Sequence, residues 1–128
     1  MSDSNTPADI DFLSLFQSAP DAVVVHDLNN CVLFWNHAAE NLYGWSAQEI
    51  QGRPISRIMY LDRDERDQAL EVMRNDGVWE HEHRQIDRNG DEYLVQIRES
   101  MQRDPEGEPV AIVSFNTDVT EARKLADA

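Results

Sequence analysis

The sequence is poor in residues that cross-link a chain, anchor it in a membrane or attract nucleic acid. Its single cysteine, Cys31, cannot form a disulfide within the chain. No apolar run approaches the roughly 20 residues of a membrane span, and no basic region followed by an apolar stretch marks a signal peptide. Eleven basic residues stand against 25 acidic ones, and a net charge of −14 disfavours binding to nucleic acid or to an anionic membrane. We therefore expect a cytoplasmic domain without nucleic-acid or direct membrane contact.

The composition is that of one globular domain. Apolar residues make up 41% of the 128 residues and occur along the whole chain, which is enough to form a core. Ten of the 11 basic residues are arginine. This acidic, arginine-rich balance suits either a GC-rich genome or a halophilic host.

Capping and turn residues divide the first half of the chain. The polar residues 1–8 predict a flexible lead-in, and a short helix follows through Gln17. Two β-rich runs, Ala22–His26 and Cys31–Trp35, flank a turn and predict a hairpin.

Helix signals fill the middle of the chain. Asn36 predicts a cap and Gly44 an end for one helix. The Ser46–Glu49 segment has the spacing of a capping box, which predicts a second helix. The segment 62–75 predicts the longest helix, ended by Gly77.

Three strands follow the helices. The runs 79–87 and 91–102 flank Asn89-Gly90, a strong hairpin signal, and a second turn over 104–109 leads to the last strand. Helices inserted into an antiparallel meander predict an α+β fold with helices on one face of the sheet.

The last strand ends in Asp118-Val119-Thr120-Glu121, where both Asp118 and Thr120 can bond the backbone of a following turn. These residues predict a joint between the strand and an outgoing helix. We expect residues 122–128 to be the start of a truncated output helix in a longer protein.

The order and spacing of these motifs resemble the PAS domain family over about residues 10–121, and we assign the domain to residues 9–121. The segments that carry the resemblance are Ala19–Ala22, Asn36–Glu40, Tyr43–Ser46 with Glu49-Ile50 and Gly52-Arg53, Arg88–Gly90, and Asp118–Glu121. The resemblance implies a five-stranded antiparallel sheet of order 2-1-5-4-3 and a sensory or dimerising role. It also implies that signals leave through Asp118 and Thr120.

Strand alternation, with the family pattern, predicts which side chains face the helices. Phe34 is expected on the inner face and Trp35 on the outer face. The other residues expected on the outer face are Val23, Val25, Val113 and Phe115. The inner face is more polar than a core requires, and this polarity suggests the hypothesis of a small-molecule pocket. Its candidate residues are His26, Asn36, Tyr43, His81, His83, Gln85, Val95, Ile97, Ser114 and Asn116. The alternatives are satisfied core hydrogen bonds with bound water, or a shift of the third strand by one residue.

The cofactor is unknown from sequence, and a small metabolite is one candidate. The inward-facing histidines also suggest metal binding or pH sensing as alternative hypotheses. We expect no metal site. Photosensory relatives carry a reactive cysteine where this chain has Ile55, so only non-covalent flavin, near Gln85 and Asn116, remains open. The segment 62–75 lacks His and Cys, which argues against the haem ligation of relatives.

The apolar outer face of the sheet needs a cover, which the helix bearing Leu13 and Phe16 can supply in its own chain or a partner's. We therefore expect a homodimer. No catalytic motif occurs, so the domain is not expected to be an enzyme. The favoured function is a sensory and dimerisation module that binds a small molecule or partner and relays the signal to an effector, first a sensor histidine kinase. The alternative is a ligand-free dimerisation module of a transcription regulator, a transducer or a cyclic-dinucleotide enzyme.

Overall fold

The computed structural model describes residues 12–55, 71–73 and 75–127. The lead-in, the start of the first helix, the stretch 56–59 and most of the predicted helix 62–75 lie outside the described residues. The helices whose bounds lie within the described residues are α1 (Phe12–Gln17), α2 (His37–Tyr43), α3 (Ala47–Ile50) and α4 (Thr120–Asp127). The strands are β1 (Ala22–His26), β2 (Val32–Trp35), β3 (Val78–Ile86), β4 (Glu92–Arg103) and β5 (Pro109–Asp118). Each described helix is too short or too polar to span a bilayer.

The five strands form one antiparallel sheet in the order β2-β1-β5-β4-β3. The predicted α+β fold and strand order are therefore confirmed. The last strand in sequence, β5, lies in the middle of the sheet between β1 and β4. A displacement of β5 therefore affects both halves of the sheet.

The predicted caps of α2 and α3 are also confirmed. Asn36 accepts a hydrogen bond from the backbone N–H of Ala39 at the start of α2, and Gly44 ends that helix with φ at +79°. Ser46 and Glu49 form the reciprocal capping box of α3. These local signals place α2 and α3 against the inner face of the sheet.

A bulge in β2 changes which of its side chains face the core. Val25 pairs with Phe34 and His26 with Val32, so Leu33 is an extra residue between two consecutive pairs. Beyond the bulge Trp35 lies opposite Val24 and shares its inner face. The predicted orientations of Phe34 and Trp35 were therefore wrong: Trp35 is inside and 1% exposed, and Phe34 lies opposite Val25 on the outer face.

The main core lies between the inner face of the sheet and helices α2 and α3. It combines Val24, Trp35 and Tyr43 with Val95 and Ile97, all fully or almost fully buried. The Trp35 indole N–H donates to the backbone oxygen of Trp45 at 2.9 Å, and the Trp35 and Tyr43 rings lie 5.3 Å apart. This packing fixes Tyr43 over the centre of the sheet.

The outer face is partly covered by α1, as the sequence suggested. The ring of Phe16 packs edge-on against Phe115 of β5 at 6.5 Å, and Val23 is completely buried. Leu13 and Leu15 of the same helix remain 61% and 54% exposed. The helix thus covers one part of the outer face and presents apolar side chains to its surroundings.

Candidate functional site

A chain of buried hydrogen bonds crosses the inner face of the sheet. Ser114 Oγ donates to Asn116 Oδ1 at 2.6 Å, and Asn116 Nδ2 donates to the Tyr43 hydroxyl at 2.8 Å. That hydroxyl in turn donates to Gln85 Oε1. The network joins β5, α2 and β3, three elements that are far apart in sequence.

Tyr43 stays protonated at the centre of this network. Burial, the largest cause, raises the pKa of its hydroxyl well above the ordinary value of 10.0. The hydroxyl is therefore both a donor to Gln85 and an acceptor for Asn116 at physiological pH. Its role is to hold two strands in one hydrogen-bonded arrangement.

Unpartnered buried nitrogens concentrate on the inner face of β3. Among the residues that the structure describes, Gln85 Nε2 and both ring nitrogens of His81 have no hydrogen-bond partner. Gln85 is completely buried. Each such group costs about 1–3 kcal/mol when it is left unpaired. These nitrogens are therefore available to form hydrogen bonds with a bound molecule.

A buried carboxylate that sequence reasoning missed lies beside two of the histidines. Glu99 of β4 is 2% exposed. Its oxygens lie 3.6 Å from His26 Nε2 and 3.8 Å from His81 Nε2. The alternation that placed Val95 and Ile97 inside also puts Glu99 inside, so the pattern contained the signal.

His81 and His83 lie side by side on the inner face of β3. His83 is half-buried, its ring lies 5.4 Å from that of His81, and its Nδ1 is 3.2 Å from the carbonyl oxygen of Arg84. The His81 ring also packs closely against Trp79. Within the described part of the chain, no group of three His, Cys, Asp or Glu residues is arranged to hold a metal ion.

Asn36, a predicted pocket residue, uses its side chain to bond four backbone groups. Its Oδ1 accepts from the backbone N–H groups of Val23 and Ala39, at 2.9 and 3.0 Å. Its Nδ2 donates to the backbone oxygens of Phe16 and Asp21, at 2.7 and 3.0 Å. The side chain thus fastens α1, β1 and α2 together.

The end of β5 is tied to β4 by a compact joint. Asp118 Oδ1 accepts from the backbone N–H of Thr120 at 3.0 Å and from its hydroxyl at 2.6 Å. The Thr120 hydroxyl oxygen accepts from the backbone N–H of Leu94 at 2.9 Å. Val119 N–H donates to the Leu94 carbonyl at 2.8 Å. This arrangement fixes the direction in which α4 leaves the sheet.

A second connection holds α4 to β3. Arg123 Nε donates to Glu82 Oε1 at 3.0 Å, and the guanidinium also bonds Glu82 Oε2. These hydrogen bonds hold the pKa of Glu82 below its ordinary value of 4.5. Since Gln85 faces inward from the same strand, β3 touches both the polar network and the outgoing helix.

A cleft of about 410 Å³ opens beside the end of β5. Its walls come from the segment before and into β1, from α2 and from the last residues of β5. The lining residues are Pro20, Asp21, Ala22, Ala38, Asn41, Leu42, Asn116, Thr117 and Asp118. The cleft therefore reaches from the polar network to the exit joint.

A family model described as the PAS fold matches residues 10–119. No curated protein matches the chain. The solved PAS domain of a protein from Colwellia psychrerythraea is 24% identical, with a TM-score of 0.75, over 87% of this chain and 99% of that one. An RNA-binding light-oxygen-voltage receptor is 20% identical (TM-score 0.80) and covers all of this chain, which spans 40% of that receptor. The PAS domain of a two-component sensor histidine kinase is 18% identical (TM-score 0.70), over 84% and 92% of the two chains.

Proposed function

The chain belongs to the PAS-fold family, and on that premise we propose that it is a sensory module that binds a small molecule on the inner face of its sheet. Its signal leaves through Asp118 and Thr120 toward an effector. The observation that carries the proposal is that Asn116, a member of the buried network, lies two residues before Asp118 on β5. The pocket wall and the exit are thus parts of one strand.

The proposed pocket is the polar inner face described above. Its residues are His26, Tyr43, His81, His83, Gln85, Val95, Ile97, Ser114 and Asn116. The side chain of Asn36 already bonds four backbone groups. We therefore assign it a structural role beside the pocket and not a contact with the ligand. A ligand that bonds Gln85 or Asn116 changes the position of an amide that is hydrogen-bonded to the Tyr43 hydroxyl, and so shifts β3 relative to β5. Such a ligand can be a metabolite or a non-covalently bound flavin.

The proposed relay uses the two connections of α4. A shift of β5 moves Asp118, which positions Thr120, while a shift of β3 moves Glu82, which holds Arg123. Both movements change the direction or the order of α4. In this proposal the domain itself catalyses no reaction, and its output is the geometry of that helix.

The first candidate for the effector is a sensor histidine kinase in the same protein, in the cytoplasm. A PAS domain of a two-component sensor histidine kinase shares this fold, as does an RNA-binding light-oxygen-voltage receptor, so the fold alone supports more than one effector. The single cysteine supports the location.

The second candidate function is a dimerisation module of a transcription regulator, a transducer or a cyclic-dinucleotide enzyme. The observation that favours it is the exposed apolar surface of α1, where Leu13, Leu15 and Phe16 are 61%, 54% and 42% exposed. A second copy of the chain, packed through α1 and the neighbouring sheet, would bury these side chains. We propose a homodimer for the sensory function as well.

Thermal unfolding of the 128-residue chain with a panel of cellular metabolites separates the two functions. A ligand present at 100 times its Kd stabilises the folded state by about 2.7 kcal/mol and raises Tm by several degrees. Sedimentation of the same samples reports the dimer of the 14.7 kDa chain. We expect at least one compound to raise Tm. A dimer whose Tm responds to no compound contradicts ligand sensing and leaves the dimerisation module.

A further inference from the structure

We infer that the ligand of this pocket is an uncharged molecule with a hydrogen-bond acceptor, such as a carbonyl oxygen, that binds to Gln85 Nε2. This inference rests on the proposed ligand-binding function and adds the chemical class of the ligand. It follows from the direction of the buried hydrogen bonds and from the charges around them.

The network supplies its donors in one direction. Ser114 donates to Asn116, Asn116 donates to Tyr43, and Tyr43 donates to Gln85 Oε1. The amide oxygen of Gln85 is therefore engaged, while its Nε2 carries two N–H donors without a partner among the described residues. A completely buried primary amide in this state selects a ligand atom that accepts a hydrogen bond.

The surroundings disfavour a charged ligand. Burial, the largest cause, and the charges of Asp118 and Glu99 raise the pKa of the Tyr43 hydroxyl, so the same carboxylates would repel an anion bound beside it. The net charge of −14 acts in the same direction. A cation would meet the N–H groups of Gln85, which point their positive ends at it. Burying either charge costs more than burying a neutral group.

Four fragments on one phenyl ring test the inference with the 128-residue chain. Acetophenone has a carbonyl acceptor, aniline has N–H donors, benzoate is an anion, and ethylbenzene has no polar group. Ligand-observed NMR titration gives a Kd for each. We expect acetophenone to bind about fivefold more tightly than ethylbenzene, the factor that one net hydrogen bond supplies, and benzoate to bind most weakly.

The variant Gln85→Met removes the donors and keeps the length of the side chain. We expect acetophenone to lose its fivefold advantage in this variant while the Kd of ethylbenzene stays the same. Gln96→Leu, an equivalent loss of an amide from the neighbouring outward position of β4, is the control and should preserve the advantage. Circular dichroism verifies that each variant is folded.

A measurement on the unmodified chain keeps the test independent of the variant's folding. The side-chain amide resonances of Gln85, assigned by their loss in Gln85→Met or by sequential connectivity, should shift with acetophenone and not with ethylbenzene. Binding of fragments without any dependence on a carbonyl or on Gln85 overturns this inference but leaves a ligand pocket. Binding of no fragment at the inner face overturns both this inference and the proposed pocket.

Discussion

Arg123 of α4 donates two hydrogen bonds to the carboxylate of Glu82 on β3, across 41 residues of sequence. Thr120 is held by Leu94 of β4 at the start of the same helix. The outgoing helix is therefore bonded to β3 and β4. The inner face of these two strands contributes side chains to the core. In the proposed relay, these contacts connect the interior of the domain to α4.

The Arg123–Glu82 contact should control how well α4 is ordered. In Arg123→Gln, we expect the backbone amides of residues 121–126 to exchange with solvent several-fold faster, because the helix loses its tie to β3. Lys124→Gln is the control, since Lys124 pairs with Glu121 inside the helix. The swapped pair Glu82→Arg with Arg123→Glu should restore slow exchange, and failure to do so would mean that the ion pair is incidental. High salt should reduce the effect.

The inward position of Trp35 predicts a large loss of stability when it is truncated. Trp35→Ala should lower the free energy of unfolding by about 3–5 kcal/mol, because it empties a buried site beside Tyr43. Leu33→Ala, two residues earlier and 47% exposed, should cost less than about 1 kcal/mol. Urea unfolding measures both values. Equal losses would contradict the bulge in β2.

Glu40 predicts a pH-dependent part of the stability. Its Oε2 accepts from the backbone N–H of Ala47 at 2.7 Å, and this bond, the largest cause, holds the pKa of Glu40 below its ordinary value of 4.5. A lowered folded-state pKa stabilises the protein above pH 4.5, and that stability is lost as pH falls through the folded-state value. Glu40→Gln should therefore cost roughly 1 kcal/mol at pH 7 and almost nothing near pH 2.

Urea unfolding at a series of pH values tests this prediction. Glu106→Gln, in the exposed turn before β5, is the control for the lost charge. A difference between wild type and Glu40→Gln that stays constant from pH 7 to pH 2 would refute the assignment.

Asp118→Ala should separate regulation from folding in the parent protein. The substitution removes the acceptor that positions Thr120, at a cost of about 1 kcal/mol, and Asp118 is exposed. We expect a folded protein whose effector no longer responds to the stimulus. Thr117→Ala, the preceding residue, is the control and should respond normally. Unaltered regulation in Asp118→Ala would remove the joint from the relay.

The sequence predicted most of the fold because its signals are local. Asn36 and Gly44 cap one helix, the Ser46–Glu49 capping box begins another, and Asn89-Gly90 turns a hairpin, each through contacts within a few residues. Such contacts do not depend on the rest of the chain. The order of the strands followed from the resemblance that these signals supported.

Longer-range features were harder to predict. The orientation of Trp35 depends on a bulge that is visible only when β2 is paired with β1. Glu99 lies at an inward position of β4 and is buried beside the imidazoles of His26 and His81, which come from two other strands. The bond between Glu82 and Arg123 joins residues on opposite sides of two turns. Each of these features is set by tertiary packing and not by a local pattern.

The most direct test of the relay is hydrogen exchange of the exit helix in Tyr43→Phe. This change leaves Asn116 Nδ2 and Gln85 Oε1 without the hydroxyl and costs about 1–3 kcal/mol. Ile50→Val, a buried change in α3 of about 0.5–1.5 kcal/mol, is the control for lost stability. We predict that the amides of residues 119–126 exchange several-fold differently from wild type in Tyr43→Phe and unchanged in Ile50→Val. Identical exchange of these amides in Tyr43→Phe and wild type would contradict the coupling of the buried network to the exit.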